Sequence, residues 1–167
     1  GLRVRHRPLR PPFGTYVCPV RRPAAATGTV PPVDDRIASR PIGIVVNPRS
    51  GTDVRRSVAA AGSVTVEDKA NVVRRVVRGA REAGARHFMV HHDSHRIIRR
   101  ATETMRDVEL SWIDMDLTFT EEDTVAAVAA MRAADCAVVV VIGGDGTNRA
   151  AARAWPDLPV GPLSTGT

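Results

Sequence analysis

The sequence predicts an α/β domain in which helices flank a parallel sheet, and three observations carry that expectation. From Pro41 onward, short apolar runs alternate with segments of helical apolar spacing, the signature of strand–helix–strand units. The run Val138-Val139-Val140-Val141-Ile142 is apolar at every position, so its strand is buried on both faces, as in a parallel sheet. It stops in Gly143-Gly144-Asp145-Gly146-Thr147, and the next predicted strand stops in Ser164-Thr165-Gly166-Thr167. Two polar glycine turns therefore fall at strand carboxyl ends, where open α/β sheets bind ligands.

Ile42 to Asn47 reads as the first strand, ended by Pro48 and Gly51. Asp68 to Ala83 carries Val72, Val73, Val76, Val77 and Ala80 at helical spacing, with Arg74, Arg78 and Arg81 on a solvated face and Gly84 as a stop. Phe88 to His91 is a short second strand, Ser94 to Met105 a helix buried through Ile97, Ile98, Ala101 and Met105, and Val108 to Ile113 a third strand. Thr120 has the character of an N-cap, and Glu121, Glu122 and Asp123 complement the dipole of an alanine-rich helix reaching Ala134. Ala137 to Ile142 is the fourth strand, Asn148 to Ala154 a helix, and Pro159 to Leu163 the fifth strand.

Composition bounds the functional classes. The 167 residues are one domain's worth. No apolar run approaches the roughly 20 residues of a membrane span, and the arginine- and proline-rich start lacks a secretory apolar core. The expectation is a soluble cytoplasmic protein with no membrane partner, in which homo-oligomers are possible. The net charge of +6 resembles a nucleic-acid signature, but eight arginines against Asp34 and Asp35 place all of it within residues 1–40. Residues 41–167 are neutral. The first segment is read as a disordered basic Pro/Arg-rich tail, and residues 41–167 as the nucleotide-binding α/β domain. No aromatic interleaving accompanies the charge, so no nucleic-acid partner is expected. Cys18 and Cys136 form no disulfide framework, and Cys136 reads as a small core residue.

The glycine turn at 143–147 has a definite chemistry. Glycines let a ligand approach the backbone, and the following helix presents free N–H groups and its positive dipole end, a combination suited to phosphate. No lysine follows the last glycine, as a Walker loop would require, and Arg149 occupies the third glycine position of a dinucleotide fingerprint. A carboxylate in an anion-binding loop needs its own task. Asp145 can hold Mg²⁺ or accept the proton of an attacking hydroxyl, both parts of phosphoryl transfer, or it can simply cap the helix. Asn47, on the same sheet edge, can contact phosphate or ribose, or serve only the turn before Pro48. His91-His92-Asp93-x-His95 invites a zinc reading. Neighbouring strand residues point to opposite faces, however, and Asp93 is placed to cap the next helix, so a polar strand end is expected and no metal ligands are assigned. Asp114, Asp116, Glu121, Glu122 and Asp123 likewise read as strand-end and cap chemistry that can border a nucleotide site.

Asn47-Pro48-x-Ser50-Gly51, GGDGT at 143–147 and Pro162-Leu163-Ser164-Thr165-Gly166-Thr167 together resemble the NAD kinase, diacylglycerol kinase and sphingosine kinase superfamily over residues 41–167. Asp53-Val54-Arg55-Arg56, Asn71-Val72-Val73-Arg74-Arg75 and Gly146-Thr147-Asn148-Arg149 are similar to the bacterial ATP-NAD kinase group that includes the acetoin-catabolism protein X type. The resemblance implies a Rossmann-like nucleotide-binding domain followed by a β-rich domain, with the site in the cleft between them. It implies ATP and Mg²⁺ as cofactors, NAD as the substrate phosphorylated on its adenosine ribose 2′-hydroxyl to give NADP, and Asp145 as the catalytic proton acceptor. Gly143, Gly144, Gly146, Thr147 and Asn148, with Asn47, would contact phosphate or the dinucleotide, and Gly166 and Thr167 would line the opposite wall. The β-rich domain lies outside these 167 residues, so the piece by itself is expected to be inactive or nearly so. A lipid kinase of the diacylglycerol or sphingosine type and a non-catalytic nucleotide-binding regulator are the alternatives.

Overall fold

In the computed structural model, which describes residues 39–50 and 64–165, each predicted apolar run forms a strand. They are β1 (Ile42–Val46), β2 (His87–Val90), β3 (Glu109–Trp112), β4 (Val138–Gly143) and β5 (Val160–Ser164). Every pairing is parallel, in the order β3-β2-β1-β4-β5. The chain winds outward from β1 to β3, then returns to lay β4 against β1 and continues the other way. The direction of winding reverses between β1 and β4, and in such sheets the ligand crevice opens outside the carboxyl ends of those two strands.

Helices α1 (Val66–Glu82), α2 (Ile97–Thr102), α3 (Glu121–Ala133) and α4 (Asp145–Ala154) cover the two faces. Side-chain alternation sorts the core into two layers. Ile44, Val46, Phe88, Val90 and Ile142 pack with Ala70, Val73 and Val77 of α1 and with Ile97, Ile98 and Ala101 of α2. Val45, Val139 and Val141 pack on the other side with Ala127, Val128 and Met131 of α3 and Ala151 of α4. The expected doubly covered α/β sheet is therefore the one observed. Each Val or Ile at full burial contributes on the order of 1.5–3 kcal/mol. Cys136 is a buried free thiol in the second layer, and burial pushes it up to about 11. Pro162 lies in β5, an edge strand, where a missing N–H costs no ladder partner.

Three helix starts differ from the sequence-based expectation. α1 starts at Val66 rather than Asp68, because Thr65 and Asp68 form a reciprocal capping box: Asp68 N–H donates to Thr65 Oγ1 at 3.1 Å, and Thr65 N–H to Asp68 Oδ2 at 2.9 Å. α2 is only six residues long, since Arg96 adopts a left-handed conformation (φ 54°) ahead of it. α4 begins at Asp145, not Asn148, so Asp145, Gly146 and Thr147 belong to a helical first turn. Arg40, assigned to the tail by sequence, is tied to the α3–β4 connection. Its Nε donates to the Asp135 carbonyl at 2.8 Å and its guanidinium pairs with the Asp135 carboxylate. Residues 1–38 of the tail, Cys18 among them, and residues 51–63 lie outside the described residues.

Candidate functional site

The carboxyl ends of β1, β4 and β5 converge on one group of polar side chains. The β1–β4 ladder runs to its last rung, where Asn47 N–H donates to the Ile142 carbonyl at 2.9 Å. That rung sets Asn47 beside the end of β4, and its Nδ2 donates to Thr147 Oγ1 in α4 at 2.9 Å. The other carboxamide atom, Oδ1, accepts from Arg49 N–H at 2.9 Å. Ser50 Oγ donates to the Asn47 carbonyl at 2.9 Å and shares a 2.6 Å hydrogen bond with Thr165 Oγ1, just past β5. Thr165 N–H reaches the Gly143 carbonyl at 3.4 Å. The turn after β1, the start of α4 and the end of β5 are thus bound into one edge.

The three glycines of GGDGT do different work. A Cβ on Gly143 would stand 2.5 Å from Thr147 Oγ1 and 2.7 Å from Thr147 Cβ, so this glycine lets α4 turn tightly back onto β4. At Gly144 and Gly146 a Cβ would meet no described atom within 4 Å, and neither residue has a positive φ. Among the described residues, protein packing accounts for the first glycine and not for the other two.

Among the described residues no side chain caps α4, and Gly144 stands at its N-cap. The N–H donors that every helix start leaves open therefore face outward here, together with the positive end of the dipole. Asp145 is exposed at the first helical position, and its carboxylate makes no hydrogen bond or ion pair among the described residues. It does not cap its own helix. Thr147 is 4% exposed, and its hydroxyl oxygen accepts from Asn47. Asn148 Nδ2 donates to the Gly144 carbonyl at 3.3 Å, while its Oδ1 is buried without a partner among the described residues. Gly166 and Thr167 lie outside the described residues.

Asp114 and Asp116 are exposed, and the other sequence candidates are occupied elsewhere. His91 is buried; its Nε2 accepts from Val46 N–H at 3.2 Å and its Nδ1 donates to the His92 carbonyl at 2.8 Å. Burial holds its pKa below the ordinary 6.5. His92 stacks on Trp112 with ring centroids 4.6 Å apart. Asp93 accepts from the N–H groups of His95, Ile97 and Ile98, the capping predicted for it. Asp123 accepts from Thr118 and Phe119 N–H, while Glu121 and Glu122 pair with Arg153 of α4. Among the described residues no three His, Cys, Asp or Glu side chains are grouped to hold a metal ion, and no helix is long and apolar enough to cross a membrane.

One participant escaped the sequence reading. Lys69, the chain's single lysine, is 1% exposed and donates to the carbonyls of Asn47, at 3.2 Å, and Pro48. Its position was the available signal, since it stands in the apolar stripe of α1 with Ala70, Val73 and Val77.

Comparison with known proteins matches residues 42–167 to the family model described as ATP-NAD kinase N-terminal domain. Acetoin catabolism protein X of Cupriavidus necator (strain ATCC 17699) is 32% identical over 134 residues, which cover 75% of this chain and 37% of that relative. The chain thus spans little more than a third of the length of the curated relative it matches. No solved structure matches it.

Proposed function

This chain belongs to the ATP-NAD kinase N-terminal domain family, and from that premise we propose that it is the nucleotide-binding part of an enzyme that phosphorylates the adenosine ribose 2′-hydroxyl of NAD with ATP. The observation that carries the reading is the uncapped start of α4 at the sheet's switch point, with Gly144 and Gly146 open in front of it. Backbone N–H groups there suit phosphate oxygens, and the absence of Cβ atoms permits close approach. Asn47 and Thr147 hold the two sides of the cradle in register through their 2.9 Å hydrogen bond. Asn148 braces the Gly144 carbonyl from behind. Gly166 and Thr167 keep the role in the opposite wall that the resemblance gives them.

Asp145 is the proposed catalytic residue. The 2′-oxygen forms its bond to the terminal phosphorus as the bond from that phosphorus to the ADP oxygen breaks, and the hydroxyl proton passes to the Asp145 carboxylate. An ordinary aspartate, with a pKa of about 3.9, is a weak base. In a loose transition state the proton leaves late, so orienting the hydroxyl matters more than basicity. The exposed, unpaired carboxylate is available for that role. Magnesium brought with ATP would neutralise phosphate charge, held mainly by phosphate oxygens and water.

The test is Asp145→Asn in the full-length protein. Turnover of ATP and NAD to NADP should fall by about 10²–10⁴-fold, with ATP binding retained. Wild-type protein that binds ATP without turnover would make this domain a nucleotide sensor instead.

A further inference from the structure

We propose that Lys69 is a positioning residue of this site: its buried ammonium fixes the turn at Asn47 and Pro48 so that the Asn47 carboxamide reaches Thr147 at the start of α4. The proposal rests on reading this edge as a phosphate site. A lysine in the apolar stripe of a helix carries a desolvation cost that a leucine or methionine would not. Lys69 bears that cost without an ion pair among the described residues; its partners are two backbone carbonyls. Asp93 is the acidic group whose charge reaches it.

Those carbonyls sit where the backbone most needs a fixed partner. β1 ends at Val46, and after the Asn47–Ile142 rung the chain leaves the sheet. Pro48 fixes its own φ and offers no donor. If Lys69 were apolar, the Asn47 carbonyl would keep only its Ser50 donors, and the Pro48 carbonyl would lose its ammonium partner. The ammonium gathers both, setting the orientation of the Asn47–Pro48 and Pro48–Arg49 peptide units. Asn47 needs that orientation, because its Nδ2 must meet Thr147 Oγ1 at 2.9 Å while its Oδ1 accepts from Arg49 N–H. The contacts run without a break from α1 through the β1 turn to the first turn of α4.

The experiment follows the Asn47 side-chain amide by ¹⁵N NMR in the full chain, its resonance identified by its loss in Asn47→Asp. In Lys69→Met, which keeps the side-chain volume, the resonance should move toward its position in Thr147→Val. ATP affinity should weaken roughly tenfold, about 1.4 kcal/mol, with adenosine binding unchanged. A folded Lys69→Met protein whose Asn47 amide stays at the wild-type position overturns the proposal. If Lys69→Met does not fold, the coupling is read in reverse: the ¹³Cε signal of the single lysine should move in Thr147→Val, and an unmoved signal overturns it. Neither resonance requires nucleotide, so a wild-type protein that binds no ATP would refute the phosphate reading while the Lys69 result still stood or fell by itself.

Discussion

The helices of this domain begin in two different ways, and the contrast separates scaffold from site. α1 starts in a closed capping box, α2 under the Asp93 carboxylate, and α3 behind Thr120, whose side chain accepts from Glu122 N–H at 3.2 Å. Each uses side chains of its own neighbourhood to satisfy the donors that a helix start exposes. Among the described residues α4 has no such side chain, and glycine stands where a serine or aspartate would otherwise be favoured. Every kind of cap was available to this sequence. Leaving one start open, at the switch point and beside an unpaired aspartate, makes sense where a ligand completes the cap.

The steepest test of the contrast is Gly143→Ala, which would force a Cβ to within 2.5–2.9 Å of the Thr147 side chain. Overpacking of this kind costs about 1–3 kcal/mol, and moving Thr147 would also break its bond with Asn47. Urea unfolding should show the loss of stability and titration should show weaker ATP binding, both from one methyl group. Wild-type stability in this variant would mean that α4 is not packed against β4 as described.

The closed half of the edge makes a pH prediction. Burial holds the His91 pKa below its ordinary value, against the weaker opposing influence of its hydrogen bond to the His92 carbonyl and of Asp93 and Asp123. The unfolded chain therefore takes up a proton below about pH 6.5 that the folded chain resists, so stability is full above that pH and falls as the solution is acidified. The slope approaches about 1.4 kcal/mol per pH unit. Unfolding free energies measured between pH 7.5 and 5.5 should show it, and His91→Gln should flatten it. Thr120→Ala belongs to the same half. Loss of that cap should cost about 1 kcal/mol while leaving ATP affinity where it was.

Much of this was legible in the sequence, for reasons that can be traced to particular residues. The fully apolar run at 138–142 could only be a doubly buried strand, and the polar punctuation after each apolar run located the ligand edge. The start of α4 was obscured because Gly144, Asp145 and Gly146 have poor helix propensity, while the helix there is set by the close fit of Gly143 on Thr147. The box at Thr65 was hidden because Asp68 fills the position usually held by Glu or Gln. Lys69 went unseen for a different reason. Periodicity marks its position as buried, but only the folded turn shows the two carbonyls that make a buried ammonium tolerable.

The smallest expected change in stability is also the sharpest separation of the two kinds of helix start. Gly146 lies in the first turn of α4, where a Cβ would meet none of the described residues within 4 Å, and has no positive φ. Replacing it with alanine reduces the freedom of the unfolded chain, which should stabilise the domain by about 0.5–1 kcal/mol. If the space is held for phosphate oxygens, the same methyl group occupies it, and ATP affinity should fall although the protein has become more stable. Purely structural glycines do not behave that way, because relieving their entropy cost without strain improves every property that depends on folding. Gly146→Ala protein that is stabilised and binds ATP as tightly as wild type would show that the open start of α4 is not where the phosphates sit.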